Sequence, residues 1–212
     1  AAVSLSQATE AGTLYSVEDI MGLAGVAKAA GIGVHMDGAR FANAVVGSGA
    51  SPADLTWRAG VDVLSFGATK NGAMGAEAVV FFDVRRAADF ARRRKRGGQL
   101  FSKMRFISAQ LAAYLTDDLW LANATHANDQ ATHMSDALVA INGIDLMHPT
   151  QANEVFVAVP APMADGLDSQ GFQFHRWSLG KNNAVGLRLV ASFETTSDQV
   201  VALVSAAQKL AV

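Results

Sequence analysis

Lys70 is the lone cation in the run Val61-Asp62-Val63-Leu64-Ser65-Phe66-Gly67-Ala68-Thr69-Lys70-Asn71-Gly72-Ala73-Met74-Gly75. An amine at the end of an apolar stretch, among glycine, alanine and threonine, is partly screened from water. Screening lowers its preference for the charged form, and such a lysine serves as a nucleophile or forms a Schiff base. A second segment, Gly33-Val34-His35-Met36-Asp37-Gly38-Ala39-Arg40, ends in an acid, a glycine and an arginine, and its Asp37 lies 33 residues before Lys70. Taken alone, Lys70 reads more readily as a solvated loop residue after a strand. The paired segments favour the chemical reading, because ligands of an open α/β sheet bind at the C-terminal ends of its strands.

The elements around these residues follow a strand, helix, strand order. Alternation of Val61, Val63 and Phe66 with Asp62 and Ser65 predicts a strand buried on at least one face, and the glycines beyond it permit a close turn. Ser16 with Asp19 makes a capping-box start, and Ile20, Leu23, Ala27 and Ala30 then repeat at helical spacing as far as Gly31. A second helical piece is expected from Ser51-Pro52 to Gly60, leading into the strand before Lys70. Two parallel strands joined by such a crossover bring Asp37 and Lys70 to one sheet edge. Ala78-Val79-Val80-Phe81-Phe82 returns so soon after Lys70 that an antiparallel hairpin is expected.

Further along, Arg92-Arg93-Arg94-Lys95-Arg96-Gly97-Gly98 reads as a solvated helix end rather than a nucleic-acid surface, since it lacks interleaved aromatics. Met104, Ile107, Leu111, Tyr114 and Leu115 form a helical stripe. It breaks near Asp117-Asp118 and resumes through Met134, Leu138 and Ile141 to Gly143. His126 and His133 stand seven apart without carboxylate support, which is weak evidence for a metal. Beyond Pro149 come short strands, at 154–159 and 184–190, and a final helix from about Thr196 that buries Val200, Leu203, Val204 and Ala207. These predict a smaller α+β domain after the long helices.

Composition matches an ordinary enzyme core. At 212 residues, 50% hydrophobic and 17% charged, the chain is long enough for one large or two small domains. A formal net charge of −2 gives no pull toward nucleic acid or acidic membranes. No cysteine is present, so disulfides and thiolate metal sites are excluded. No apolar run approaches the roughly 20 residues that cross a bilayer. With no charged, apolar leader at Ala1, a cytoplasmic location is the default expectation.

Val34-His35-Met36-Asp37-Gly38-Ala39-Arg40 followed by Ser65-Phe66-Gly67-Ala68-Thr69-Lys70-Asn71-Gly72-Ala73 resembles the low-specificity L-threonine aldolases, pyridoxal-phosphate enzymes of the aspartate-aminotransferase fold type. The similarity runs from about Leu5 to the C-terminal helix. It implies an α/β fold: the mostly parallel sheet of the fold-type-I large domain, incomplete at its N-terminus, over residues 1–120, then a small α+β domain over 121–212. It implies pyridoxal 5′-phosphate as cofactor, tethered by Lys70, with Asp37 buried beside the ring nitrogen and with Thr69 and Arg40 as further contacts. Arg40 and Arg188 match positions that clamp the substrate carboxylate, and Lys95 matches a lysine at the active-site entrance. From the residues themselves, Arg40 reads equally as a helix-start ion-pair partner and Arg188 as an edge-strand surface residue. Relatives carry a histidine where this chain has Glu10.

The implied reaction is aldol cleavage of L-threonine, L-allo-threonine and related β-hydroxy-α-amino acids to glycine and an aldehyde. A β-elimination with the same cofactor is the close alternative, and a catalytically silent fragment is the alternative of another class. The glycine-rich phosphate cradle and a ring-stacking histidine of the family lie in a large N-terminal part before the segment that starts here. The chain by itself is therefore expected to be inactive, and the active species to contain that part in a homo-oligomer, a dimer or tetramer.

Overall fold

The computed structural model describes residues 1–179 and 184–211. Strands β1 (Ala2–Ser6), β2 (Gly33–Gly38), β3 (Val63–Gly67) and β4 (Glu77–Phe81) make a sheet in that order. The first two pairings are parallel, and β3 with β4 is antiparallel, as the short return after Lys70 predicts. Helix α1 (Val17–Ala29) begins at the expected reciprocal cap of Ser16 and Asp19, buries Ile20, Ala24 and Ala27, and delivers the chain into β2.

The β2–β3 crossover differs from expectation. Its α-helix is α2 (Phe41–Ser48), earlier than the 51–60 segment, which holds only turns and a single 3-10 turn at Trp57–Ala59. The capping signal was real, for Ser51 Oγ does accept from Asp54 N at 3.2 Å. Gly60, at φ +100°, ends the piece before a second turn can form. Helix α2 shows no stripe in sequence because Phe41, Ala42, Asn43, Ala44 and Val45 are all buried.

Helices α3 (Phe90–Arg96), α4 (Arg105–Leu115) and α5 (Leu119–Val139) follow. The break between α4 and α5 falls where the stripe fails, at Asp117 and Asp118, both left-handed with φ 50° and 56°. Helix α5 ends at Val139, a turn before Gly143, and Ile141 and Ile144 still bury beyond it.

A second sheet, all antiparallel, has the order β5 (Asp145–Leu146), β6 (Glu154–Pro160), β8 (Ala184–Val190), β7 (His175–Ser178). It packs with α6 (Ala161–Ser169) and α7 (Ser197–Leu210). Strand β8 is thus interior, so Arg188 is not on an edge strand. The fold is the α/β class expected: a mostly parallel sheet followed by a small α+β unit.

Two apolar clusters hold these layers. In the first, Leu5, Val34, Met36, Leu64 and Phe66 point to one side of the sheet, and Phe66 meets the rings of Phe41, Tyr114 and Trp120 at 6.2, 6.0 and 5.8 Å. In the second, Val155, Val157, Leu187 and Leu189 pack on Met163, Leu167, Val200 and Leu203. Helix α5 gives Trp120 and Ala124 to the first cluster and Ala131, Met134 and Leu138 to the second. The opposite side of the first sheet is polar near its middle: His35 Nδ1 bonds Ser4 Oγ at 2.8 Å and His35 Nε2 bonds Ser65 Oγ at 2.9 Å, tying three parallel strands together. Asp37 shares this side, two residues on.

Candidate active site

A cavity of about 230 Å³ opens at the C-terminal ends of β1 and β2, lined by Ser6, Ala8, Thr9, Glu10, Asp37, Ala39, Arg40, Lys70, Glu154 and Arg188. Residues from four strands and the lysine loop meet here. Close approach of β2 and β3 makes the meeting possible: a Cβ on Gly38 would lie 2.6 Å from Leu64 Cδ1, and one on Gly67 would lie 2.8 Å from Ala39 Cα. With no side chain at either position, the backbone just past Asp37 packs directly on the backbone that leads to Lys70.

Of the residues singled out in the sequence, Asp37, Arg40, Lys70 and Arg188 line this one cavity. Asp37 is exposed, contrary to the buried aspartate expected. Its Oδ1 accepts from Ala39 N at 3.0 Å, which fixes the turn into Arg40. Thr69 does not line the cavity; its hydroxyl receives Ala76 N at 3.1 Å and so closes the loop that carries Lys70. Lys95 sits exposed on α3 and is not among the lining residues either. Glu10 does reach the cavity, where its carboxylate accepts from Ser6 Oγ at 2.7 Å; this bond and one from its own backbone lower its pKa.

Sequence reasoning missed Glu154. It is 2% exposed at the start of β6 and pairs with Arg40 at 3.0 Å through Oε1. Its signal was available, since a lone carboxylate opening an apolar strand is as unusual as a lone lysine closing one. Burial pushes the Glu154 carboxyl up, against the opposing pull of Arg40, Arg188 and Lys70. Its other oxygen, Oε2, and the Nε atoms of Arg40 and Arg188 are buried without a hydrogen-bond partner among the described residues. Such atoms cost free energy unless something polar meets them.

The raised carboxyl has a consequence for stability. A group whose folded pKa lies above its unfolded value stabilises fully below the unfolded value, near 4.5, and loses that contribution as pH rises through the folded value. Glu154→Gln removes this titration. The melting temperature of the variant should therefore gain on the parent as pH rises from below 4.5. Parallel melting curves across pH would show that the buried carboxyl is not strained as described.

A larger recess of about 650 Å³ lies at the other end of the strands, lined in part by Lys28, Arg58, Asp62 and Arg86. Its charges are largely spent: Asp62 pairs with Arg86 at 3.2 Å and accepts from Val34 N at 2.8 Å, and Arg58 pairs with Asp54 at 3.0 Å. The smaller cavity, with its unpartnered polar atoms, is the one equipped for chemistry.

The model of the family described as beta-eliminating lyase matches residues 1–161. The chain belongs to this family. Among curated proteins, the low specificity L-threonine aldolases of Pseudomonas sp. (strain NCIMB 10558) and Pseudomonas aeruginosa are each 42% identical over 198 residues, covering 93% of this chain and 56% of theirs. Among solved structures, threonine aldolase from Leishmania major superposes with a TM-score of 0.92 at 25% identity, covering all of this chain and 61% of that one. The chain spans little more than half the length of the curated relatives it matches.

The residues of this member of the family fit a pyridoxal phosphate group on chemical grounds. One primary amine, Lys70, and the carboxylate of Asp37, besides those of Glu10 and Glu154, line the same cavity, and three buried polar atoms beside them lack hydrogen-bond partners among the described residues. Groups of histidine, aspartate and glutamate able to hold a metal ion are not found among the described residues. His126 instead bonds Thr195 O.

Proposed function

We propose that the protein is a pyridoxal-phosphate-dependent aldehyde-lyase that cleaves the Cα–Cβ bond of L-threonine, L-allo-threonine and related β-hydroxy-α-amino acids to glycine and an aldehyde. The observation that carries this reading is the convergence of Lys70, Asp37, Arg40 and Arg188 on one cavity. The 42% identity to proteins named low specificity L-threonine aldolase supports the substrate class.

When bound, pyridoxal phosphate supplies the electron sink that amino-acid bond cleavage requires. Lys70 Nζ would hold the group covalently and, once displaced by the substrate's own amine, would give the α-carbon the proton it takes up after cleavage. Asp37 would offer its carboxylate to the ring nitrogen and favour that nitrogen's protonated form. Arg188 takes the substrate carboxylate, since it makes no ion pair among the described residues, whereas Arg40 is already held by Glu154. Arg40 adds charge beside it. Fixing the carboxylate settles which Cα bond is presented for cleavage.

Residues 1–120 act as the C-terminal part of the cofactor-binding large domain and 121–212 as the small domain. The active species contains an N-terminal portion that supplies the phosphate cradle, in a homo-oligomer. Coverage of only 56% of the curated relatives supports the first point. Exposed apolar side chains at Val84, Phe101 and Phe106 support the second. No helix among the described residues is long and apolar enough to cross a membrane, and a cytoplasmic setting accords with that.

The family description favours a second reaction, β-elimination. Products separate the two. Full-length protein supplied with pyridoxal phosphate and L-threonine should release glycine and acetaldehyde; 2-oxobutanoate and ammonia would identify an eliminating enzyme instead. Arg188→Lys keeps the charge and loses the fork, so the KM for L-threonine should rise about 10- to 100-fold, from the roughly 1.5–3 kcal/mol of a charge-assisted hydrogen bond. An unchanged KM would remove Arg188 from the clamp.

A further inference from the structure

Helix α5 crosses three segments, each of which follows one of the cationic residues of the cavity. At every crossing one of its polar side chains donates to a main-chain carbonyl. Asn123 Nδ2 donates to Asn71 O at 2.9 Å, one residue past Lys70. Asn128 Nδ2 donates to Asn43 O at 3.0 Å, in the first turn of α2 just past Arg40, and Asn43 Nδ2 returns a bond to Asn128 Oδ1 at 3.0 Å. His126 Nε2 donates to Thr195 O at 2.7 Å, in the turn after β8, the strand of Arg188.

We infer that α5 is the template that sets Lys70, Arg40 and Arg188 relative to one another, with Asn123 as the positioning residue for Lys70. The inference rests on the reading of Lys70 as the amine that holds the cofactor. Neither the family match nor the relatives' names assign a role to this helix.

The lysine loop shows how tightly the template grips. Asn71, 3% exposed, donates to Tyr114 Oη at 2.6 Å and to Trp120 O at 2.8 Å, so the neighbour of Lys70 is bolted to α4 and to the start of α5. Gly72 follows at φ +121°, and a Cβ there would come within 2.7 Å of Asn123 Nδ2. The loop therefore wraps Asn123 so closely that no side chain fits between them. Asn123 thus fixes the carbonyl on one side of the turn while the Asn71 side chain fixes the other. Lys70 itself makes none of these bonds. Its position is inherited from them, and a misplacement of about 1 Å at a reacting group costs roughly 100-fold in rate.

The test uses the full-length protein, with Asn123→Ala and Asn123→Asp; the second fills the same volume but offers no donor to the Asn71 carbonyl. Amide hydrogen exchange and steady-state kinetics are measured on each, with His133→Ala, on the exposed side of the same helix, as control. Loss of one hydrogen bond should speed exchange about tenfold in residues 69–75, leaving the sheets protected. The kcat should fall about 10- to 100-fold while the KM for L-threonine stays within about threefold. A merely structural bond would move exchange without this split between kcat and KM.

Should Asn123→Ala lose protection throughout the chain, the outcome is read from Asn123→Asp. Wild-type exchange in 69–75 together with wild-type kcat in either folded variant overturns the inference. Chemical trapping of the cofactor on wild-type Lys70 tests the parent reading separately. A loosened loop in a protein whose Lys70 is never labelled upholds the grip of α5 on the loop and overturns the catalytic assignment. A labelled Lys70 with unaltered exchange and kcat overturns the template alone.

Discussion

Lys70→Ala should lower turnover of L-threonine by at least about 1,000-fold while leaving the melting temperature close to the parent value, because the amine is both the covalent holder and a proton carrier. The side chain is exposed at the cavity, unlike the screened amine expected from the sequence, and makes no hydrogen bond among the described residues. The loop's shape is secured by its neighbours: Thr69 binds Ala76, and Asn71 binds Tyr114 and Trp120. Truncation therefore opens no hole in either apolar cluster. Steady-state assays and a thermal melt check both halves of the statement. Turnover within tenfold of the parent, with no amine added, would rule out Lys70 as the holder.

Asp37→Asn should cost about 100- to 1,000-fold in kcat while the protein still binds its cofactor. Asparagine keeps an Oδ1 acceptor for Ala39 N, so the turn into Arg40 survives. It also keeps a polar contact to the ring. What it loses is the negative charge that favours the protonated ring nitrogen. Absorbance of the bound cofactor and kcat measured on the same sample separate the two contributions. Complete loss of binding would make Asp37 a structural anchor, and an unchanged kcat would remove it from the site.

The placement of these two residues was legible in the sequence for a definite reason. One strand ends at Asp37 and another just before Lys70, and a crossover of 24 residues between β2 and β3 leaves parallel neighbours as the natural outcome. The capping box at Ser16 and the break at Asp117 were legible too, because both are local backbone events with local residue signatures. Helix α2 was not. Burial on several sides erased its periodicity, and a stronger capping signal ten residues later drew the helix to the wrong place.

Glu154 was hidden for another reason. Its partner, Arg40, lies on the first sheet unit and Glu154 on the second, so nothing in either neighbourhood announces the ion pair. Nor could local pattern expose the exposed state of Asp37, which depends on what covers one side of the sheet. Thr69 was named for the cofactor from motif resemblance alone; what the fold adds is that its hydroxyl closes the loop that carries Lys70.

The claim on which the rest depends is that this cavity holds pyridoxal phosphate on Lys70. Borohydride reduction of the full-length protein with the cofactor bound, followed by peptide mapping by mass spectrometry, tests it directly. The account predicts a phosphopyridoxyl group on the peptide containing Lys70, and no such label on that peptide in Lys70→Ala. A label on a different lysine, or none on a protein that turns over L-threonine, would contradict it.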